Sequence, residues 1–249
     1  KKQVDEALDQ TIAEPEIIPN KKTELEDVYA PFDNQEILPQ KLQNREIRFI
    51  DAISEAIEIS MKNHPNLVLM GQDIAEYGGA FKITEGFVEK FGKKRVRNTP
   101  LCEAAIVGSG LGLSINGYKS MVEMQFADFV TEGFNQIINN LAKTHYRWNQ
   151  NADVVVRMPT GAGTGAGPFH SQSNEAWFAK TPGLKIAYPA FPDDAKGLLI
   201  QSFEDPNPVL FFEHKKLYRS LKGNVPEGFY TTPFGKARKV KEGNELTII

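Results

Sequence analysis

Apolar positions along the chain alternate between two rhythms. From Arg48 onward, Ile50, Ile53, Ile57 and Met61 recur at helical spacing with Ala52 and Ala56 beside them, which predicts a helix to about Asn63. Pro65 closes it, and the unbroken apolar run "NLVLMG" reads as a short strand. The alternation then repeats. "TEGFVEKFG" reads as helix and "KRVRNT" as strand, then "EAAIVGSGLGLSING" as helix and "KSMVEMQ" as strand. "ADFVTEGFNQIINNLAKTHYRW" predicts one long helix, followed by strand "DVVVRMP", a glycine-rich loop with a short helix, and strand "GLKIAYP". Helix "PDDAKGLLIQSFED" and strand "PVLFFEH" complete the series. Strands that are continuous apolar runs are buried on both faces. The pattern therefore predicts an α/β fold, a mainly parallel sheet flanked by helices on both faces.

Outside this region the rhythm is missing. Residues 1–46 carry Pro15, Pro19, Pro31 and Pro39 and many charges. After a short helical start they read as a linker, with "DVYAPF" either docking on the remainder or belonging to a disordered tail. The expected division is a 1–46 end segment and linker, a 47–220 domain, and a 221–249 connection leading into the start of a further domain. The chain opens without Met inside a helix-like pattern and stops inside "ELTII", which reads as the beginning of a strand. The expectation is a piece of a longer polypeptide.

Composition narrows the classes of function. Of 249 residues, 41% are apolar and 24% charged, as in ordinary globular proteins. A net charge of -3 gives no footprint for nucleic acid or an anionic membrane, and Lys93-Lys94-Arg95 and the Lys236 to Lys241 stretch read as solvated edges. No apolar run approaches the ~20 residues of a membrane span. The one cysteine, Cys102, excludes an internal disulfide framework and fits a reducing compartment, so the expected location is cytoplasmic.

In parallel α/β sheets, ligands gather at the carboxyl ends of the strands, and three stretches with chemistry fall there. In "TPLCEAAIVG", Glu103 is an ionisable group among neutral neighbours at the start of a helix. A buried carboxylate needs a partner, although on residue type alone a carboxylate that caps the helix and favours its dipole is the better-supported reading. Gly108, Gly110 and Gly112 weaken that helix by roughly 1 kcal/mol each, which predicts close approach by another backbone or a flat ligand. In "VEMQFADFVTEGF", Gln125 ends a strand, and Phe126 and Phe129 follow at helical spacing. An amide beside two aromatic faces suits a heteroaromatic ring, or the aromatics are simply core. In "MPTGAGTGAGPFHSQSNEAW", the spacing of Gly161, Gly163 and Ala166 imitates a dinucleotide fingerprint, but Pro168 and "FHSQS" stand where a helix is required. The better reading is a glycine-hinged loop delivering His170 for proton transfer, against a surface histidine that caps the next helix. No metal-ligand spacing, nucleophile elbow or Walker loop is present.

The segments "NTPLCEAAIVGSGLGLSINGYKSMVEMQFADFVTEGFNQIINNLAK" and "FHSQSNEAWFAKTPGLKIAYPAFPDDAKGLL" resemble the β-subunit of the thiamine-diphosphate-dependent first component of 2-oxoacid dehydrogenase complexes. The resemblance runs from about Phe49 to Arg219, and "FADF", "FHSQS" and "LFFEHKKLYRS" are more similar to its branched-chain (2-oxoisovalerate) members than to pyruvate ones. It implies that Glu103 hydrogen-bonds the pyrimidine ring nitrogen of thiamine diphosphate, assisting removal of the thiazolium proton. It places Leu101 and Gln125 in the pyrimidine pocket, Phe126 and Phe129 on its aromatic wall, and His170 facing the thiazolium and 2-oxo acid. It also implies a potassium site from the carbonyls of Ala152, Val154 and Val155 with Ser202, Asp205 and Asn207.

Magnesium in this family is held by a Gly-Asp-Gly sequence and a downstream asparagine on an α-like half, and this chain has no Gly-Asp-Gly. The implied partners are that α-like half, fused to this one in the parent polypeptide, a second β-like domain, and a lipoyl-bearing acyltransferase core. The piece alone is expected to be inactive. The alternatives are a transketolase or deoxyxylulose-phosphate synthase-like domain, and a non-catalytic dimerisation domain.

Overall fold

The computed structural model describes residues 1–40 and 43–248. Helices α1 (Lys2–Ala13) and α2 (Lys21–Glu26) bury no residue. The "DVYAPF" stretch docks. Tyr29 donates to the Leu184 carbonyl at 3.2 Å, the Ala30 N–H to Asn207 Oδ1 at 2.7 Å, and Asn207 Nδ2 to the Ala30 carbonyl at 3.0 Å. The expected linker also contains Lys41 and Leu42, which lie outside the described residues. It ends in a strand, β1 (Asn44–Arg48).

The expected alternation follows: α3 (Phe49–Asn63), β2 (Leu67–Gly71), α4 (Phe87–Phe91), β3 (Val96–Asn98), α5 (Glu103–Ile115) and β4 (Lys119–Glu123). The predicted long helix is broken into a 3-10 segment (Ala127–Gly133), a π-helical turn (Gln136–Leu141) and α6 (Ala142–Trp148). The break falls at Gly133, where an added Cβ would lie 3.4 Å from the Glu103 carbonyl oxygen, so the segment crosses α5 at close range. Then come β5 (Val154–Thr160), short 3-10 turns at Pro168–His170 and Glu175–Trp177, β6 (Lys185–Ala187), α7 (Pro192–Glu204), β7 (Val209–His214), α8 (Leu217–Ser220) and β8 (Lys222–Pro226). Residues 245–248 form no strand, and Ile249, the last residue of "ELTII", lies outside the described residues. No helix among the described residues is long and apolar enough to cross a membrane.

The main sheet has six parallel strands in the order β3-β2-β4-β5-β7-β6. Side-chain alternation splits its core into two layers. Leu67, Leu69, Met121 and Val155 pack with α3 and α7, whereas Val68, Met70, Val122, Val154 and Val156 pack with α5 and the broken helix. A separate antiparallel pair, β1 with β8, closes over Ala52 of α3, with Val225 and Tyr230 beside it.

Beneath the carboxyl ends lies a charged cluster. Arg157 of β5 is fully enclosed and pairs with Glu123 of β4 and with both oxygens of Glu213 on β7, and Tyr218 Oη donates to Glu213 at 2.6 Å. Burial lifts the Glu123 carboxyl above its ordinary range; Arg157 opposes the rise and Glu213 adds to it. The folded chain then holds a proton that the unfolded chain releases, so stability falls as pH rises from the ordinary carboxylate range through the raised pKa. Glu123→Gln, which keeps an acceptor for Arg157, should flatten that part of the pH–stability profile. Arg157→Leu strands two buried carboxylates and should cost about 3–5 kcal/mol in denaturant unfolding. Equal losses from the two variants would contradict this account.

Candidate active site

The chain passes from β2 to the sheet edge at β3 and then returns to β4 on the other side of β2. Such a reversal leaves a crevice outside the carboxyl ends of the two strands. Gln72 and Asp73 follow β2, Gln125 and Phe126 follow β4, and Glu103 opens α5 after β3. Of the residues predicted from sequence, Glu103, Gln125 and Phe126 therefore lie at the switch point.

Glu103 is half-buried, and Gln72 Nε2 donates to its Oε1 at 3.0 Å. Gln125 Nε2 donates weakly to Asp73 Oδ2 at 3.4 Å. Gln72 and Asp73 thus tie the two predicted polar groups to one short turn. Asp73 holds a left-handed φ of 59°, a conformation that recurs at sites where geometry is over-determined. Of the three helix glycines, only Gly110 is demanded by this chain's own packing, since a Cβ there would lie 2.9 Å from Val122 Cγ1. A Cβ at Gly112 would meet nothing within 4 Å. Leu101 is 80% exposed and packs on no wall within this chain.

Phe126, Phe129 and His170 form one aromatic group. The His170 ring stands edge-on to Phe126 at 4.7 Å and to Phe129 at 5.4 Å between centroids, and the two phenylalanines are 5.8 Å apart. Phe81, from the loop after β2, extends the wall at 5.5 Å from Phe126. The glycine-rich loop that carries His170 is pinned where it closes. Gly161 N–H and Thr160 Oγ1 donate to the Gln172 carbonyl at 2.9 and 3.1 Å, Gln172 N–H to Asp128 Oδ1 at 2.9 Å, and Asn174 Nδ2 to the Ala127 carbonyl at 2.8 Å. Gly161, at φ 78°, is required there, because a Cβ would fall 2.5 Å from His214 Nε2.

Several residues at this crevice escape sequence reasoning. Lys215 is 5% exposed, its ammonium lies 5.3 Å from the Phe126 centroid, and burial lowers its pKa against the opposing pull of Asp128. Lys215 Nζ, Asp128 Oδ2 and His170 Nδ1 are enclosed and have no hydrogen-bond partner among the described residues. Gln72 and Asp73 carry one signal, polar residues directly after a buried strand, which many turns share, and Asp128, inside the 3-10 segment after β4, carries none.

The residues expected to hold potassium lie at the opposite end of the sheet. Val154 and Val155 begin β5 just after Ala152, and the register of Val155 opposite Val209 brings the Ser202 to Asn207 junction to the same end. There the fully buried Asp205 pairs with Lys185 and accepts from Asn207 N–H and Nδ2 at 2.9 and 2.8 Å. Ser202 Oγ donates to the Leu198 carbonyl at 2.7 Å, and the Ala152 carbonyl accepts from Val154 N–H at 2.8 Å. The Lys185 ammonium pairs with the buried Asp205 carboxylate at this end of the sheet.

The chain is thus an α/β domain, a parallel sheet flanked on both faces, with a carboxyl, two amides and an aromatic wall at its switch point. Residues 45–220 match the family described as "Transketolase, pyrimidine binding domain", and the chain belongs to that family. It is 47% identical over 203 residues to "2-oxoisovalerate dehydrogenase subunit beta" of Bacillus subtilis, covering 81% of this chain and 62% of that protein. It is 42% identical over 208 residues to "2-oxoisovalerate dehydrogenase subunit beta 2, mitochondrial" of Arabidopsis thaliana, covering 82% and 58%. Against "Pyruvate dehydrogenase E1 component subunit beta" of Staphylococcus aureus it is 40% identical over 206 residues, covering 82% and 63%. The chain thus spans about six-tenths of the length of the curated relatives it matches. A solved "Split gene transketolase, inactive beta4 tetramer" has the same fold, with a TM-score of 0.54 at 22% identity over 67% of this chain and 50% of that one.

The pinning of the His170 loop is open to direct measurement. Asp128→Ala removes the acceptor of a partly buried N–H, a loss of about 0.5–1.5 kcal/mol, so hydrogen exchange at Gln172 should quicken roughly 2- to 10-fold. Exchange in β5 and β7 should not change. Unaltered protection at Gln172 would show that the loop is held by other contacts.

Proposed function

We propose that this domain is the pyrimidine-binding part of a thiamine-diphosphate-dependent 2-oxoacid dehydrogenase first component. The reaction is decarboxylation of a branched-chain 2-oxo acid, or pyruvate, with transfer of the acyl group to a lipoyl group. The single observation that carries the reading is the placement of Glu103 at the switch point, at the same end of the sheet as an aromatic wall that includes His170. Its partner in the structure is the neutral Gln72 amide, whereas a purely structural, non-catalytic domain would pair this carboxyl with a lysine or arginine. The names of the curated relatives support the substrate class.

The side chains fit the pyrimidine end of the cofactor. Glu103 offers a carboxyl oxygen to a ring nitrogen, Gln125 an amide, and Phe126 and Phe129 exclude water from the ring faces. Bound thiamine diphosphate would supply the electron sink that loss of carbon dioxide from a 2-oxo acid requires. His170, wedged against both phenylalanines, is placed to orient the 2-oxo acid and move a proton there.

Magnesium and the diphosphate belong on an α-like half in this reading. Exposed Leu101 and the open face of α5 at Ala104, Ala105 and Gly112 support contact with that half or with a second copy of this domain. The acyl product would pass to a lipoyl-bearing acyltransferase core in the cytoplasm.

In the full-length enzyme, Glu103→Gln should slow exchange of the thiazolium proton for deuterium by about 10²–10⁴-fold, the usual contribution of a positioned acid–base group. Exchange at the parental rate would refute the role of Glu103.

A further inference from the structure

The turn after β7 holds two lysines in succession and treats them differently. Lys216 is exposed, whereas Lys215 is 5% exposed and its ammonium is enclosed without a hydrogen-bond partner among the described residues. The backbone fixes this choice. Lys215 N–H donates to the Thr160 carbonyl at 3.0 Å, and Tyr218 N–H donates to the Lys215 carbonyl at 3.3 Å. Asp128, also 5% exposed, comes from the 3-10 segment after β4, and its charge acts on the Lys215 ammonium. Its Oδ2 is likewise enclosed without a partner among the described residues. One buried charge is expensive, and two of opposite sign in one enclosure offset each other.

Both groups bear on His170. The Lys215 ammonium lies 5.3 Å from the Phe126 centroid, within reach of a cation–π contact, and the His170 ring stands edge-on to the same Phe126 at 4.7 Å. Asp128 Oδ1 accepts from Gln172 N–H at 2.9 Å, at the closing end of the His170 loop. The ring against which His170 rests and the carboxylate that pins its loop therefore share one counter-charge. A pair that only tied two elements together would bond directly, as Lys185 does with Asp205. Lys215 and Asp128 form no such bond and act on the ring and the loop instead. Lys215→Met would fill much the same space but leave an enclosed negative charge at the crevice. Asp128→Asn would keep an acceptor for Gln172 and leave an enclosed positive charge.

We propose that Lys215 is a positioning residue, and that with Asp128 it forms an enclosed, mutually neutralising pair which holds His170 in place and presents no net charge to an anionic 2-oxo acid. The inference rests on the reading of His170 as the group that orients the 2-oxo acid.

Steady-state kinetics of the full-length enzyme with 2-oxoisovalerate separate the two signs of charge. Lys215→Met should raise the KM for this anion and Asp128→Asn should lower it. Each shift should be roughly five- to twentyfold, the effect of a unit charge about 10–15 Å away at the effective dielectric of a protein. Both single variants should lower kcat, and the double variant should recover most of it together with the parental KM, as groups that act as one unit do. KM values that do not move in opposite directions, or a double variant showing the product of the two kcat losses, would overturn the inference. If Lys215→Met fails to assemble, recovery of assembly in the double variant supports the pair, and failure of both overturns it. His170→Ala distinguishes the two claims. If it turns over 2-oxoisovalerate as the parent does, the reading of His170 has failed and the inference falls with it. If it loses activity while Lys215→Met keeps the parental KM and kcat, the role of Lys215 alone has failed.

Discussion

The reversal of strand order between β2 and β4 is the constraint on which this molecule depends. Parallel strands require crossover connections, and a chain that runs outward from β2 to β3 and returns to β4 leaves the carboxyl ends of β2 and β4 uncovered. Into that opening come the turn after β2, the turn after β4 and the first residue of α5. The sheet thereby gathers Gln72, Asp73, Glu103, Gln125 and Phe126 from segments more than fifty positions apart in the chain (Gln72 to Phe126). None of them needs a long loop to reach the others.

The crevice stands on a rigid floor. Arg157 bridges Glu123 and Glu213 across adjacent strands, and Tyr218 is hydrogen-bonded to Glu213. Tyr218 also touches Phe81 at 5.1 Å between centroids, Phe81 touches Phe126, and Phe126 touches His170. An aromatic chain therefore runs from the charged core to the face where His170 stands. Breaking a buried ion cluster is expensive because the charge left behind has no water to turn to, so the floor holds the wall above it in one arrangement. The cost of enclosing an excess carboxylate falls on stability, and the benefit is a fixed site.

Much of this was legible in the sequence. The continuous apolar runs that became β2, β4, β5 and β7 announce a sheet buried on both faces, and the positions of Gln125, Phe126 and His170 after such runs, with Glu103 after the short polar strand β3, place them at one end of it. The features that escaped depend on distant contacts. β1 and β8 lack apolar alternation because they are largely exposed, and each finds its partner nearly 180 residues away. The helix after β4 has unbroken helical periodicity, yet it changes pitch where Gly133 must pass the Glu103 carbonyl. Gln72 and Lys215 carry no motif, and their meaning appears only when the fold buries them with an atom unpaired. The pairing of Lys185 with Asp205 likewise depends on a distant contact, because Lys185 reaches it from the edge strand β6.

The central claim is that Glu103 is held at the switch point to meet a pyrimidine ring nitrogen. An experimental structure of the full-length enzyme with thiamine diphosphate bound tests it most directly. The account predicts a Glu103 carboxyl oxygen within about 2.6–3.2 Å of the ring nitrogen, with the ring lying along Phe126 and Phe129. A ring seated elsewhere, or Glu103 turned away to a lysine or arginine of another chain, would contradict it.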